Sequence, residues 1–559
     1  MYPRSFMDGN GDGIGDFEGI ISRLDHIKET GFETLWFSPF FSSPQVDFGY
    51  DISDYRNIAP EYGNMEGCAR LFDEIHKRDM KVVLDLVLNH TSDRHPWFLE
   101  SKTSRDNPKR DWYLWQDGRG KNGRRPPNNW RSLASPDSGW HYDENTGQWY
   151  WASFLPCQPD LNFRNPEVKG EMLDVVRFWL DRGADGFRLD IFGSIYKEEN
   201  YTDNPFTFRL IPGSENEGGF FHTAEMIVHR PETFEFAREI RALTGEYRNP
   251  ERFLIGEVFG PPETLREYCG GGRADGLHLV FLFQAMTAKM RAKVFRNIIE
   301  TFEEYFSPPL LPTWVFSNHD RYRRIRILKG NLEKAKLNTA IQFTARGVPC
   351  TYYGEEIGMP QSDIDPKDNL DPVGRQFAKY PRFIGRLIQR ITHGGAGRDG
   401  CRTPMQWTGE PNAGFCPEET RPWLPVHPSY RSINAEAEKD DPDSLYNCYR
   451  RFLSARRDIP ALHRGSLELS PPGAYPGNVL AYTRSAEPEG GDSSGKQVTV
   501  LLNFSKRRVS FQGPYRRPEL IVSTCRESRA LDAQRNEKHQ MKIELAPFEG
   551  IVIRDAEVV

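Results

Sequence analysis

Long apolar runs are missing from this 559-residue chain. No stretch approaches the ~20 residues that span a bilayer, so no membrane partner is expected. A basic excess is missing too: 73 Lys and Arg stand against 79 Asp and Glu, for a net charge of −6. A nucleic-acid binder needs a basic face, so none is expected here. The eight cysteines are scattered singly, with no CxxC pair. That predicts reduced, buried thiols and a cytoplasmic setting. The opening MYPRSFMDGN lacks the basic start and apolar stretch of a secretory signal. There is no GxxxxGKS or GxxxxGKT phosphate loop, and no HxH pair of the kind a metal-hydrolase barrel wants on an early strand.

What is present is an ordinary apolar content of 38% with a high aromatic share of 13%. The length predicts two or three domains. Short continuous apolar runs alternate with helical patterns. TLWFSPF (34–40), KVVLDLVLNH (81–90), GFRLDIF (186–192), FLIGEVF (253–259), LHLVFLF (277–283), TWVFSNHD (313–320) and PCTYYGEE (349–356) read as parallel strands covered on both faces. FEGIISRLDHIKETG (17–31) carries a core stripe at Ile20, Leu24 and Ile27 and a glycine stop at Gly31. The α/β alternation predicts a (β/α)8 TIM barrel rather than a doubly wound sheet, since no nucleotide fingerprint is present.

Two regions break the rhythm. Residues 91–166, rich in Trp, Asn, Asp, Gly and Pro, read as a small insertion subdomain B after the third strand. From 467 to 559 the runs become short and β-like (VLAYTR, QVTVLLNF, RRVSFQG, PELIVST), which predicts a C-terminal antiparallel β-sandwich domain. The barrel then occupies 1–90 and 167–466. EPEGGDSSGK (487–496) reads as a hairpin tip. Because the first helix starts near Asp16, the first barrel strand is expected within residues 1–7. YPRSF is short for that, which suggests a misassigned start or a trimmed chain.

In a barrel the chemistry sits at the C-terminal ends of the strands. Here those ends carry Asp190, Glu257 and Asp320, with Arg188, His319 and the Asn89–His90 pair beside them. Any one acid alone is most simply a strand-end cap. Three acids with matching donors suit glycoside cleavage, which needs an ionised carboxylate on one face of the sugar and a protonated carboxyl at the leaving oxygen. The tryptophans of 112–151 are read mainly as core of the insertion subdomain.

YPRSF with DGNGDGIGD, DLVLNHTS, QPDLN, GFRLD, GEV, SNHD and RTPMQW resembles the α-glucosidase and oligo-1,6-glucosidase branch of glycoside hydrolase family 13, the α-amylase family. The match runs in order from residue 2 to about 410. The resemblance implies a retaining double displacement, with Asp190 as nucleophile, Glu257 as general acid and then base, and Asp320 gripping two sugar hydroxyls. It implies substrate contacts for Tyr50, His90, Arg188 and His319, and a pair, Asp51 and Arg402, that closes the pocket behind a non-reducing-end glucose. Phe154 and Gln158, near QPDLN, are candidates to line the pocket. A closed pocket makes the enzyme exo-acting on short oligosaccharides, as a monomer or homodimer. After the nucleophile the chain reads IFGSIYK where relatives show VINLI, and Ile191 is closer to the valine of α-1,6-preferring members, so α-1,6 tolerance is expected.

DGNGDGIGD (8–16) begins like a calcium loop, but its twelfth position is Gly19 rather than Glu. Asp8, Asn10, Asp12, the backbone of Ile14 and Asp16 could wrap one hard cation; a metal-free turn capped by aspartates is the alternative. The resemblance assigns structural Ca²⁺, sometimes Mg²⁺, to these positions. The motifs do not separate a hydrolase from a transglycosidase or sucrose isomerase of the same branch. A non-catalytic relative would lack one or more of the three carboxylates, and all three are here.

Overall fold

The computed structural model describes residues 1–135, 137–209, 218, 221–486, 497–531 and 541–555. The predicted hairpin tip at 487–496 lies outside them. Seven of the barrel's parallel strands coincide with the seven apolar runs: β1 (Thr34–Phe37), β2 (Lys81–Leu86), β3 (Gly186–Leu189), β4 (Phe253–Gly256), β5 (Leu279–Val280), β6 (Thr313–Val315) and β7 (Val348–Cys350). β1 to β5 form one sheet in sequence order and β6 pairs with β7, every pairing parallel. Between β5 and β6 a side chain does the joining: the Thr313 hydroxyl accepts from the Leu282 amide at 2.9 Å and donates to the Val280 carbonyl at 2.9 Å.

The first strand is not where the sequence reading put it. Residues Pro3–Ser5 form a single 3₁₀ turn. Proline has no amide to give a ladder and its φ is fixed. Only Met1 lies along β1: its amino group donates to the Trp36 carbonyl at 2.5 Å and its carbonyl accepts from the Ser38 amide at 3.0 Å. The helix expected at 17–31 is also split, into Phe17–Ser22 and Leu24–Thr30, about Arg23 at φ −117° and ψ 5°. Gly31, at φ +107°, ends it in the left-handed conformation that favours glycine. Two of the following barrel helices carry side-chain caps. Asn64 accepts from Gly67 ahead of Met65–His76, and Asn165 accepts from Glu167 ahead of Pro166–Leu180.

Residues 91–166 hold a three-stranded antiparallel patch (Trp115–Gln116, Trp140–Asp143, Gln148–Trp151). Trp130, Trp140 and Trp151 are buried together with Ala224, Ile227 and Val228. Each buried indole still finds an acceptor: Trp130 the Thr202 carbonyl, Trp140 the Asn128 side chain and Trp151 the Ser153 hydroxyl. An indole of ~150–250 Å² buried at ~25 cal/mol per Å² contributes about 4–6 kcal/mol. These three rings form a core for the subdomain, as expected for most of its tryptophans, and the core extends to residues 224–228.

From Ser466 the chain is antiparallel: a five-stranded sheet ordered 466–469, 479–485, 497–503, 550–555, 518–523, and a pair 509–513 with 541–545. All eight cysteines are free thiols. Among the described residues, no helix is long and apolar enough to cross a membrane.

Candidate active site

β3 and β4 each end directly before an acid, so the loops after them begin with side chains already aimed by the sheet. Arg188 lies in β3, in register with Asp85 of β2 and Ile255 of β4. Its guanidinium is 1% exposed and carries three carboxylates. Nη1 donates to Asp85 at 2.7 Å and also to Asp190, and Nη2 faces Glu257 at 2.5 Å. Asp190 follows β3 directly and Glu257 follows β4, so two parallel strands deliver both acids to one cation.

Burial pushes the Asp85 carboxyl up to about 6, against the pull of Arg188. Burial also raises Asp190 well above the usual carboxylate range, opposed by Arg188 and assisted by the charges of Glu257 and Asp85. Burial thus works against full ionisation of Asp85 and Asp190, while the Arg188 guanidinium between them favours it.

Asp320 is held the opposite way. Arg402 donates to its Oδ1 at 3.0 Å, Arg398 at 3.3 Å, and His319 Nε2 sits 3.1 Å from Oδ2. Burial works against ionisation, yet His319, Arg398 and Arg402 hold Asp320 well below the carboxylate range. Burial keeps His319 neutral, well below its ordinary value. Its Nε2 is 2.7 Å from the Tyr50 hydroxyl, which donates to Asp85 at 3.0 Å. Tyr50 thus links the two halves: the three acids round Arg188 and a firmly ionised Asp320.

His90 Nε2 lies 3.1 Å from the Tyr50 carbonyl, and its ring is 6.0 Å from Phe154. Burial lowers its basicity as well. Gln158 donates to Asp47 at 3.1 Å.

Two expected residues do not meet. Asp51 accepts from the Ser43 hydroxyl and from the Val46 and Asp47 amides, so it closes its own loop rather than reaching an arginine. Arg402 is spent on Asp320 and on the His319 carbonyl, at 2.8 Å. The bridge between these two stretches is instead Asp47 to Arg398, at 2.5 Å. Both residues sit four positions upstream of the expected ones. Asp85, Asp47 and Arg398 were missed by the sequence reading. For Asp85 a signal existed: a lone acid inside an otherwise apolar strand needs a buried partner.

Ile191 has an unusual backbone for a β-branched residue, φ +38° and ψ 42°. That turn brings its amide to 3.4 Å from Glu257 Oε2 and the Phe192 amide to 2.9 Å from the Glu257 carbonyl. The strain sits between nucleophile candidate and acid candidate, where outliers of this kind concentrate.

The 8–16 loop is arranged differently. Asp8 accepts from the Asn10, Gly11 and Gly13 amides, Asp12 from Ile14, and Asp16 from Gly9, Asn10 and Gly19. Among the described residues, no three His, Cys, Asp or Glu side chains form a group able to hold a metal ion. The loop closes on its own amides. An ionised carboxylate has about four lone-pair sites, so Asp8, Asp12 and Asp16 each keep acceptor capacity beyond these bonds.

The model for the alpha amylase catalytic domain matches residues 1–465. A probable alpha-glucosidase of Rhizobium meliloti (strain 1021) is 37% identical, covering 97% of this chain and 94% of that protein. An oligo-1,6-glucosidase of Parageobacillus thermoglucosidasius is 35% identical, covering 99% and 97%. Among solved structures, an alpha-glucosyl transfer enzyme, XgtA, superposes with a TM-score of 0.85 at 35% identity, covering 99% of this chain and 98% of that one. The trehalulose synthase MutB from Pseudomonas mesoacidophila MX-45 superposes with a TM-score of 0.84 at 31% identity, covering 99% and 97%.

Proposed function

This chain belongs to the alpha-amylase family and is a glycoside hydrolase; from that premise we propose that it is a retaining, exo-acting α-glucosidase of short oligosaccharides. The observation that carries the reading is that Asp190 and Glu257 occupy the two η nitrogens of one guanidinium. Retention needs the two carboxyls only ~5–5.5 Å apart, whereas inversion leaves room for a water between them.

Asp190 attacks the anomeric carbon, and Arg188 keeps negative charge on it. Glu257, placed on the opposite η nitrogen, is the acid that protonates the leaving oxygen. Glu257 then takes a proton from the water that opens the glucosyl-enzyme bond. Asp320, ionised by its two arginines, accepts from sugar hydroxyls, with His90 and His319 as neutral hydrogen-bonding neighbours. The closing role expected of Asp51 and Arg402 falls to Asp47 and Arg398, whose bridge walls off the non-reducing end.

Transfer to a sugar acceptor is the second reading, favoured by the two solved relatives whose names describe glucosyl transfer and trehalulose synthesis. The chemistry is common to both until water or a sugar meets the intermediate. Incubation with maltose, isomaltose and sucrose at high concentration, with product identification, decides between them. Glucose with retained configuration as the first product supports hydrolysis; sucrose isomers or elongated oligosaccharides support transfer.

Calcium, or magnesium, is proposed only for the 8–16 loop. Asp8, Asn10, Asp12, the Ile14 carbonyl and Asp16 would hold it through the lone pairs their amide bonds leave over. The ion would tie the loop together and take no part in catalysis.

A further inference from the structure

Arg398 makes more bonds than a pocket wall requires. Its Nη2 reaches Asp47 at 2.5 Å and Asp371 at 2.7 Å, its Nη1 reaches Asp320 at 3.3 Å, and its Nε lies 3.1 Å from each oxygen of Asp371. The Arg398 amide also donates to Asp371, at 3.0 Å. Asp371 is wholly buried. Among these three carboxylates it alone grips the ε edge and the main chain together, so it alone fixes the plane of the guanidinium. Asp47 and Asp320 take the η nitrogens that this plane presents.

The segment that carries Asp371 is itself anchored. Asp399 accepts from the Leu370 amide at 2.5 Å and from the Asp371 amide at 3.2 Å. Burial alone would raise the Asp371 carboxyl, but Arg398 beside it outweighs that and holds it ionised. Arg398 thus serves three carboxylates, with Arg402 sharing Asp320, and the two arginines together offset the cost of burying Asp371.

We propose that Asp371 is a positioning residue for substrate-end recognition: it orients Arg398 so that one guanidinium spans Asp47, at the closed end of the pocket, and Asp320, at the sugar hydroxyls. The proposal rests on the exo-acting reading above. Losing Asp371 frees the arginine to turn toward Asp320, and the Asp47 bridge opens. Ground-state binding of the terminal sugar suffers, while the Asp190 and Glu257 chemistry does not.

The test is steady-state kinetics on maltotriose, with a non-reducing-end-blocked maltotriose as control. Wild-type enzyme should cleave the free chain and spare the blocked one; equal cleavage of both sinks the exo-acting reading, whatever Asp371 does. With that in place, Asp371→Asn should raise KM by about tenfold with kcat changed far less. In an Asp47→Asn background the same substitution should leave KM within about twofold, because the bridge it serves is gone. A KM unchanged by Asp371→Asn, or a full rise in both backgrounds, overturns the proposal and leaves Asp371 a structural acid. Should Asp371→Asn not fold, Asp371→Glu keeps the charge and moves it by one methylene. The same background-dependent rise in KM is then expected, and its absence is equally decisive.

Discussion

Two regions of this molecule concentrate acids, and they neutralise them in opposite ways. In the 8–16 loop every aspartate is answered by backbone amides of its own turn. Around Arg188, three acids from three strands are answered by one guanidinium and by each other's repulsion. The loop's charges are locally satisfied and their bonds cross few residues. The cluster's charges are unsatisfied without long-range partners, and the excess is stored as displaced proton affinity. Acid density by itself therefore does not mark a catalytic centre; what answers the acids does.

The contrast is broken most forcefully at Asp190. Asp190→Asn should reduce kcat by about four orders of magnitude while the melting temperature does not fall, since one source of repulsion disappears. Residual turnover near wild type would remove Asp190 from the nucleophile role. Glu257→Gln should cost about three orders of magnitude on maltose but much less on an aryl glucoside with an acidic leaving group, which needs no proton. Equal losses on both substrates would argue against Glu257 as the acid.

The loop should respond in stability alone. Asp8→Ala strands the Gly11 and Gly13 amides, at about 1–3 kcal/mol, so the melting temperature falls with kcat of the folded enzyme intact. A chelator should have the same character and a smaller size; no shift with chelator would assign the loop to self-capping alone. The smallest effect is in pH. Asp85, raised to about 6 in the fold from 3.8, contributes stability that is fully present below pH 3.8 and is lost as pH rises through 6. Asp85→Asn should flatten that part of the melting-temperature profile, measured by calorimetry between pH 4 and 6; an unchanged slope would place the proton elsewhere.

Much of this was legible in the chain before any coordinates. Buried parallel strands read as unbroken apolar runs, so all seven were found, each overrun by the few residues that turn out of the sheet. Asp190, Glu257 and Asp320 were singled out because strand ends have a fixed meaning in a barrel, and the fold sets the first two on Arg188 and the third on Arg402. Asp51 and Arg402 were expected to pair because QVDFGYD offers two aspartates and GRDGCR two arginines on one short curve. Only the fold decides which one turns inward. Asp371 caps the short helix Pro372–Arg375, so its Asp-Pro pair reads locally only as a helix start and does not announce its hold on Arg398. The start of the chain failed for a plainer reason: a strand was expected within residues 1–7 because the first helix starts near Asp16, yet the backbone tightens into a 3₁₀ turn at Pro3–Ser5.

The left-handed backbone at Ile191 has a consequence for redesign. Under the proposed mechanism Ile191 follows the nucleophile, which makes side-chain swaps there a natural way to probe which glycosidic linkage is accepted. Here a swap also resets the torsional preference of the hinge between Asp190 and the Glu257 backbone. Glycine or asparagine would relax that hinge, and valine would keep it taut. Variants at this site therefore sort by backbone propensity as well as by size, and a library scored on volume alone would confuse two separate axes of change.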